Sequence, residues 1–148
     1  MQAIVFTGIQ AAGKTSFYLE RFFRTHVRLS LDMLKTRHRE SSLLTACIEV
    51  RQPFVVDNTN PTKLERSKYI AVAKTAGFDV IGYYFRSQAA ECIARNSTRP
   101  EVDRIPEKGI LGASGRLELP SSGEGFDQLW YVRIQGAQFV VEEWQDEI

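Results

Sequence analysis

Gly8-Ile9-Gln10-Ala11-Ala12-Gly13-Lys14-Thr15 fits the phosphate-binding pattern G-x-x-x-x-G-K-[ST] at every defined position. The pattern encodes a mechanism. Gly8 and Gly13 let the backbone wrap around phosphates, and the N–H groups of Ala11, Ala12, Gly13, Lys14, Thr15 and Ser16 form an anion nest. Lys14 brings a point charge to the β- and γ-phosphates, and the Thr15 hydroxyl is an oxygen ligand suited to Mg²⁺. The flanks agree with this reading. Ala3-Ile4-Val5-Phe6 precedes the loop as a short apolar run. Phe17, Leu19, Phe22 and Phe23 follow it near helical spacing, so the loop opens a helix whose N-terminus adds donors and positive charge.

Outward from that loop the chain alternates strand and helix, the signature of a parallel sheet covered on both faces. Strands are expected at about 2–7, 27–31, 54–56, 78–85 and 129–134, with 138–141 pairing back as an antiparallel hairpin around Gly136. Helices are expected from the loop to about residue 25, over 38–51, from Pro61 to Ala76 with Asn60 as cap, and from Ser87 as cap to Arg95. The fold class is therefore α/β: a P-loop NTPase three-layer sandwich of about five parallel strands in the order 2-3-1-4-5, plus the C-terminal hairpin. Residues 98–125 hold three of the five prolines and five of the ten glycines, and they are read as a mobile lid or loop.

The 148 residues, 43% hydrophobic and 25% charged, make one domain over 1–148 that buries its own core. A net charge of +1 excludes the broad basic footprint of a structural DNA-binding protein, but not a narrow groove gripping a few nucleotides. No apolar run approaches the ~20 residues of a membrane span. No signal peptide precedes the first strand, so the expected location is cytoplasmic. Cys47 and Cys92 sit in apolar helical patterns and read as buried free thiols.

Ligands of open parallel sheets gather beyond the carboxyl ends of the strands. Asp32, at the expected end of the second strand, is a candidate base for an attacking hydroxyl. Asp57, ending the third, is a candidate to hold Mg²⁺ through water. Asn58 and Thr59 beside it are suited to fixing a substrate hydroxyl. Arg95 and Arg99 share a helix face leading into the lid, where they would brace the γ-phosphate and neutralise transition-state charge. His26 and His38 lack metal-ligand spacing, and Trp130 and Trp144 read as core residues.

With these residues in view, the chain resembles the polynucleotide 5′-kinase group of P-loop phosphotransferases and its small predicted-kinase relatives. The likeness rests on Gly8–Thr15, on Asp32 with Lys35, on Val56-Asp57-Asn58-Thr59-Asn60-Pro61, and on Arg95-Asn96-Ser97-Thr98-Arg99 followed by Ile105-Pro106. It implies that Asp32 is the general base for a nucleic-acid 5′-hydroxyl. It also implies that Lys14, Arg95 and Arg99 hold the β- and γ-phosphates of ATP, and that Thr15 ligates Mg²⁺. Lys35 stands where the family places an arginine on the substrate's neighbouring phosphate. A lysine lacks the bidentate fork, and Arg37 and Arg39 are the nearby groups to compensate. The leading expectation is a kinase phosphorylating a 5′-hydroxyl of DNA or RNA. Its rivals are a small-molecule kinase, acting on a nucleoside, sugar or other metabolite, and a non-catalytic ATP-binding switch.

Overall fold

A computed structural model describes residues 1–146. Its centre is β1 (Gln2–Thr7), whose Ala3, Ile4, Val5 and Phe6 are all buried. Such an uninterrupted apolar run belongs to a parallel strand covered on both faces. Around it lie β2 (Val27–Leu29), β3 (Phe54–Val56), β4 (Asp79–Phe85), β5 (Gln128–Gln135) and β6 (Gln138–Glu143), in the order β2-β3-β1-β4-β5-β6. The first five strands are mutually parallel, and β6 returns antiparallel on β5.

The helices are α1 (Lys14–Arg21), α2 (Leu31–Leu34), α3 (Arg37–Val50), α4 (Lys63–Thr75), α5 (Ala89–Ser97) and α6 (Glu107–Arg116). Side-chain alternation along β1 divides the core in two. Ile4 and Phe6 join Phe17, Phe85 and Ile110 on the α1, α5 and α6 side. Ala3 and Val5 join Phe54, Val56, Tyr69 and Phe78 on the α3 and α4 side. The expected fold and strand order hold.

Several local expectations are corrected. α1 stops at Arg21 and not near residue 25, because Phe22 leaves the helix (φ −127°) and turns follow. β2 ends at Leu29, and Asp32 sits in the helical turn α2, where Met33 and Leu34 N–H groups bond the Ser30 carbonyl. Thr62, not Asn60, caps α4 by accepting from the Glu65 N–H at 3.1 Å. Asn60 is held left-handed (φ 43°) and donates to the Phe6 carbonyl at 2.7 Å. Ser87 does not cap α5, whose N-cap is Gln88. The segment read as a lid contains α6, with Ile110 and Ala113 buried in the core.

Candidate active site

The phosphate loop runs from the end of β1 into α1. Gly13 adopts φ 100°, and an added Cβ there would lie 3.0 Å from both Ile134 and Phe139, so the position demands glycine. Gly8 forms the loop's base, its N–H donating to the Thr59 carbonyl at 3.0 Å, and the Ala12 N–H turns back to the Ile9 carbonyl at 3.3 Å. Ser87 anchors the same base. Its hydroxyl accepts from the Ile9 N–H at 3.0 Å and donates to the Phe85 carbonyl at 2.7 Å. Ala11, a non-glycine residue, is held left-handed at φ 64° within the loop. Lys14 is buried and donates to the Ile9 carbonyl at 2.9 Å. Burial lowers its pKa to about 8, a fall that the nearby Asp57 carboxylate only partly offsets.

A cleft of about 310 Å³ opens over this loop. It gathers Lys14, Thr15 and Ser16 with Asp32, Asp57, Asn58, Thr59 and Arg99, so most of the residues singled out from sequence converge. Asp32 is exposed at its rim. The Thr15 hydroxyl donates to Asp57 Oδ2 at 3.0 Å. This pair of hard oxygen donors fits Mg²⁺, which is bound through hydroxyl, carboxylate and water oxygens.

Lys35 and Arg95 fall outside that cleft. Lys35 is exposed at the end of α2 with φ 72°. Arg95 Nη1 donates to the Ala11 carbonyl at 2.7 Å, bracing the loop. It lines a second cleft of about 340 Å³ across Gly13 and Ser16, walled by Thr98, Arg99 and the β5–β6 hairpin residues Ile134, Gln138 and Phe139. The nearby arginines are also committed elsewhere. Arg37 bonds Glu40 and Tyr69, and Arg39 caps α2 through the Leu34 carbonyl at 3.2 Å.

The sequence reading missed the support behind the cleft. Asn58 donates to Glu40 Oε2 at 2.8 Å and accepts from the Leu31 N–H at 2.9 Å, which ties the Asp57–Thr59 loop to α2 and hence to Asp32. Glu40 is buried and accepts from the Tyr69 hydroxyl at 2.6 Å; burial and this bond raise the tyrosine's pKa. Arg66, fully buried, donates to the Asn60 carbonyl at 2.9 Å and forks onto both oxygens of Glu124 at 2.8 and 3.2 Å. A signal for two of these residues was present. Glu40 precedes Leu43, Leu44 and Cys47, and Arg66 precedes Tyr69, Ile70 and Ala73, so each charge occupies the apolar stripe of its helix.

Among the described residues no helix is long and apolar enough to cross a membrane. Both cysteines are free and buried, as expected.

Over 131 residues the chain is 24% identical to the bifunctional polynucleotide phosphatase/kinase of Schizosaccharomyces pombe (strain 972 / ATCC 24843); the match covers 84% of this chain and 32% of that relative. In structure it is similar to a gluconokinase from Sinorhizobium meliloti 1021, with a TM-score of 0.61 and 18% identity over 88% of this chain and 82% of the other. It is also similar to Chaetomium thermophilum Kti12 in complex with ADP-AlF3, with a TM-score of 0.66 and 16% identity over 88% of each chain. These two likenesses establish the fold. Residues 34–120, more than half the chain, match the AAA_33 family, an AAA domain, and the protein thus belongs to that family.

Proposed function

We propose that this protein is an ATP- and Mg²⁺-dependent kinase that transfers the γ-phosphate to a hydroxyl, and that the acceptor is the 5′-hydroxyl end of DNA or RNA. The carrying observation is the exposed Asp32 carboxylate at the rim of the phosphate-loop cleft, fixed through Leu31 and Asn58 to the loop that bears Asp57. A carboxylate so placed accepts the proton of an entering hydroxyl as the oxygen attacks phosphorus.

Each remaining residue has a share. Lys14 and the loop N–H groups bind the β- and γ-phosphates. Arg99, which borders both clefts, neutralises charge on the transferring group. Arg95 holds the loop in shape through Ala11. Thr15 and Asp57 would hold magnesium, which when bound offsets the phosphates' charge. With the acceptor beside Asp32, the second cleft is left for the donor's nucleoside, between α5 and the hairpin. An open rim with Asp32 exposed on it, and Lys35 exposed beyond the cleft at the end of α2, admits the end of a long strand. The similarity to the polynucleotide phosphatase/kinase supports the same acceptor.

The committed positions of Arg37 and Arg39 favour a second reading, a small-molecule hydroxyl acceptor, since they leave less charge for a strand's phosphates. The test is transfer from γ-labelled ATP with Mg²⁺ to 5′-hydroxyl oligonucleotides, beside a panel of sugars and nucleosides. Labelled oligonucleotide is the expected product. Label confined to a small molecule would establish the second reading, and label released only as inorganic phosphate would leave a switch.

A further inference from the structure

Arg28 has no role in the transfer described above. It lies in β2, facing Val55 in register, and its side chain reaches the end of the neighbouring strand. There Nε donates to Asp57 Oδ2 at 2.8 Å, and Nη2 donates to Thr15 Oγ1 at 3.2 Å. The Thr15 hydroxyl gives its one hydrogen to the same Asp57 oxygen at 3.0 Å. The three side chains close a ring of hydrogen bonds, and one of the two lone pairs of the Thr15 hydroxyl accepts from Arg28.

Charge makes the ring tight. The Asp57 carboxylate is 1% exposed, and a buried carboxylate without a partner is strongly unfavourable. The Arg28 guanidinium supplies the missing charge. A divalent cation would supply it too, but at the ~2.1 Å ligand distance that Mg²⁺ requires it would lie against the like-charged guanidinium held on the same two oxygens. Arg28 has room to leave, since its side chain is 23% exposed on a long flexible stem.

We propose that Arg28 is a resident countercharge that competes with the divalent cation for Thr15 and Asp57, so that the site takes metal together with nucleotide phosphates and holds it weakly alone. The inference rests on the reading of Thr15 and Asp57 as the metal-holding pair. Phosphates bring the negative charge that lets guanidinium and metal be accommodated together, the arginine shifting from the carboxylate toward the nucleotide. Arg28 is thus a positioning residue that sets the order of assembly.

The experiment titrates the whole chain with Mn²⁺, followed by the loss of the free-ion EPR signal, without nucleotide and again with ADP. Arg28→Met keeps the stem and removes the donors. Without nucleotide it is expected to bind Mn²⁺ at least about tenfold tighter than the wild type, and the gap should narrow with ADP. Adding Asp57→Asn to Arg28→Met should erase the gain. Equal or weaker binding by Arg28→Met, or a gain that survives Asp57→Asn, overturns the competition. Arg28→Lys retains the charge but cannot bridge both oxygens; it should fall between, and an affinity equal to wild type counts against the proposal even if Arg28→Met does not fold. Asp57→Asn alone, titrated with ADP present, separates the premise: unchanged Mn²⁺ affinity there removes the metal pair itself.

Discussion

Lys14 is expected to make nucleotide affinity and stability respond to pH in opposite directions. Burial depresses its pKa from 10.5 to about 8, a difference worth about 3 kcal/mol between the two protonation states. For a lysine whose folded pKa lies below the unfolded one, the fold bears this cost in full below about pH 8 and sheds it as pH rises toward 10.5. Lys14→Met removes the cost and also the hydrogen bond to the Ile9 carbonyl, which contributes about 1 kcal/mol. The variant should therefore be more stable than the wild type by about 2 kcal/mol at pH 7. That gap should close, and then reverse, as pH rises. Binding runs the other way, because phosphates need the ammonium form. Above about pH 8 the wild type's affinity should fall roughly tenfold per pH unit, while Lys14→Met binds weakly with a shallower slope. Urea melts of both proteins from pH 7 to 10 give the first quantity, and the difference between them cancels the buried tyrosines, which also titrate at high pH. Titration calorimetry with nucleotide over the same range gives the second. A stability gap constant across pH 7–10, or equal affinity slopes in the two proteins, would refute the argument.

Arg66→Met leaves the Glu124 carboxylate buried and unpaired, and should cost about 3–5 kcal/mol in urea unfolding; a loss under 1 kcal/mol would mean that the pair is dispensable. Arg99→Ala should lower kcat about 10²-fold or more with little change in nucleotide affinity, whereas Arg95→Ala, by freeing the Ala11 carbonyl, should weaken nucleotide binding as well. Identical kinetic signatures would erase that distinction. Asp32→Asn should abolish transfer and leave ATP affinity within about twofold, and transfer at the wild-type rate would remove Asp32 from the base role. Asn58→Ala should lower kcat more than it raises acceptor KM, because Asn58 acts through Leu31 and Glu40; a change confined to KM would make it a substrate contact instead.

What sequence made legible follows from the range of each interaction. β1, β3 and β4 are apolar runs that declare themselves, and the loop between β1 and α1 is defined by eight consecutive residues. Asp32 was expected in the right neighbourhood but on the wrong element, since β2 has one neighbouring strand and leaves the sheet after three residues. Ser87 looked like a helix cap because serine before a helix usually is one; its actual partner, Ile9, is 78 positions away. Arg28 with Asp57 and Arg66 with Glu124 are separated by 29 and 58 positions. No local pattern records such partners. The charges of Glu40 and Arg66 on apolar helix stripes were the one trace they left, and that trace says where a charge is buried, not whom it meets.

The phosphate loop separates two clefts that draw their walls from different parts of the chain. One takes α2 and the end of β3, while the other takes α5 and the last hairpin. With the proposed division of acceptor and donor between these clefts, substitutions around α2 are expected to change the acceptor while leaving the donor's binding intact. The Glu40–Asn58–Leu31 link joins helix and loop across that cleft, so a change in one of its walls carries to the other.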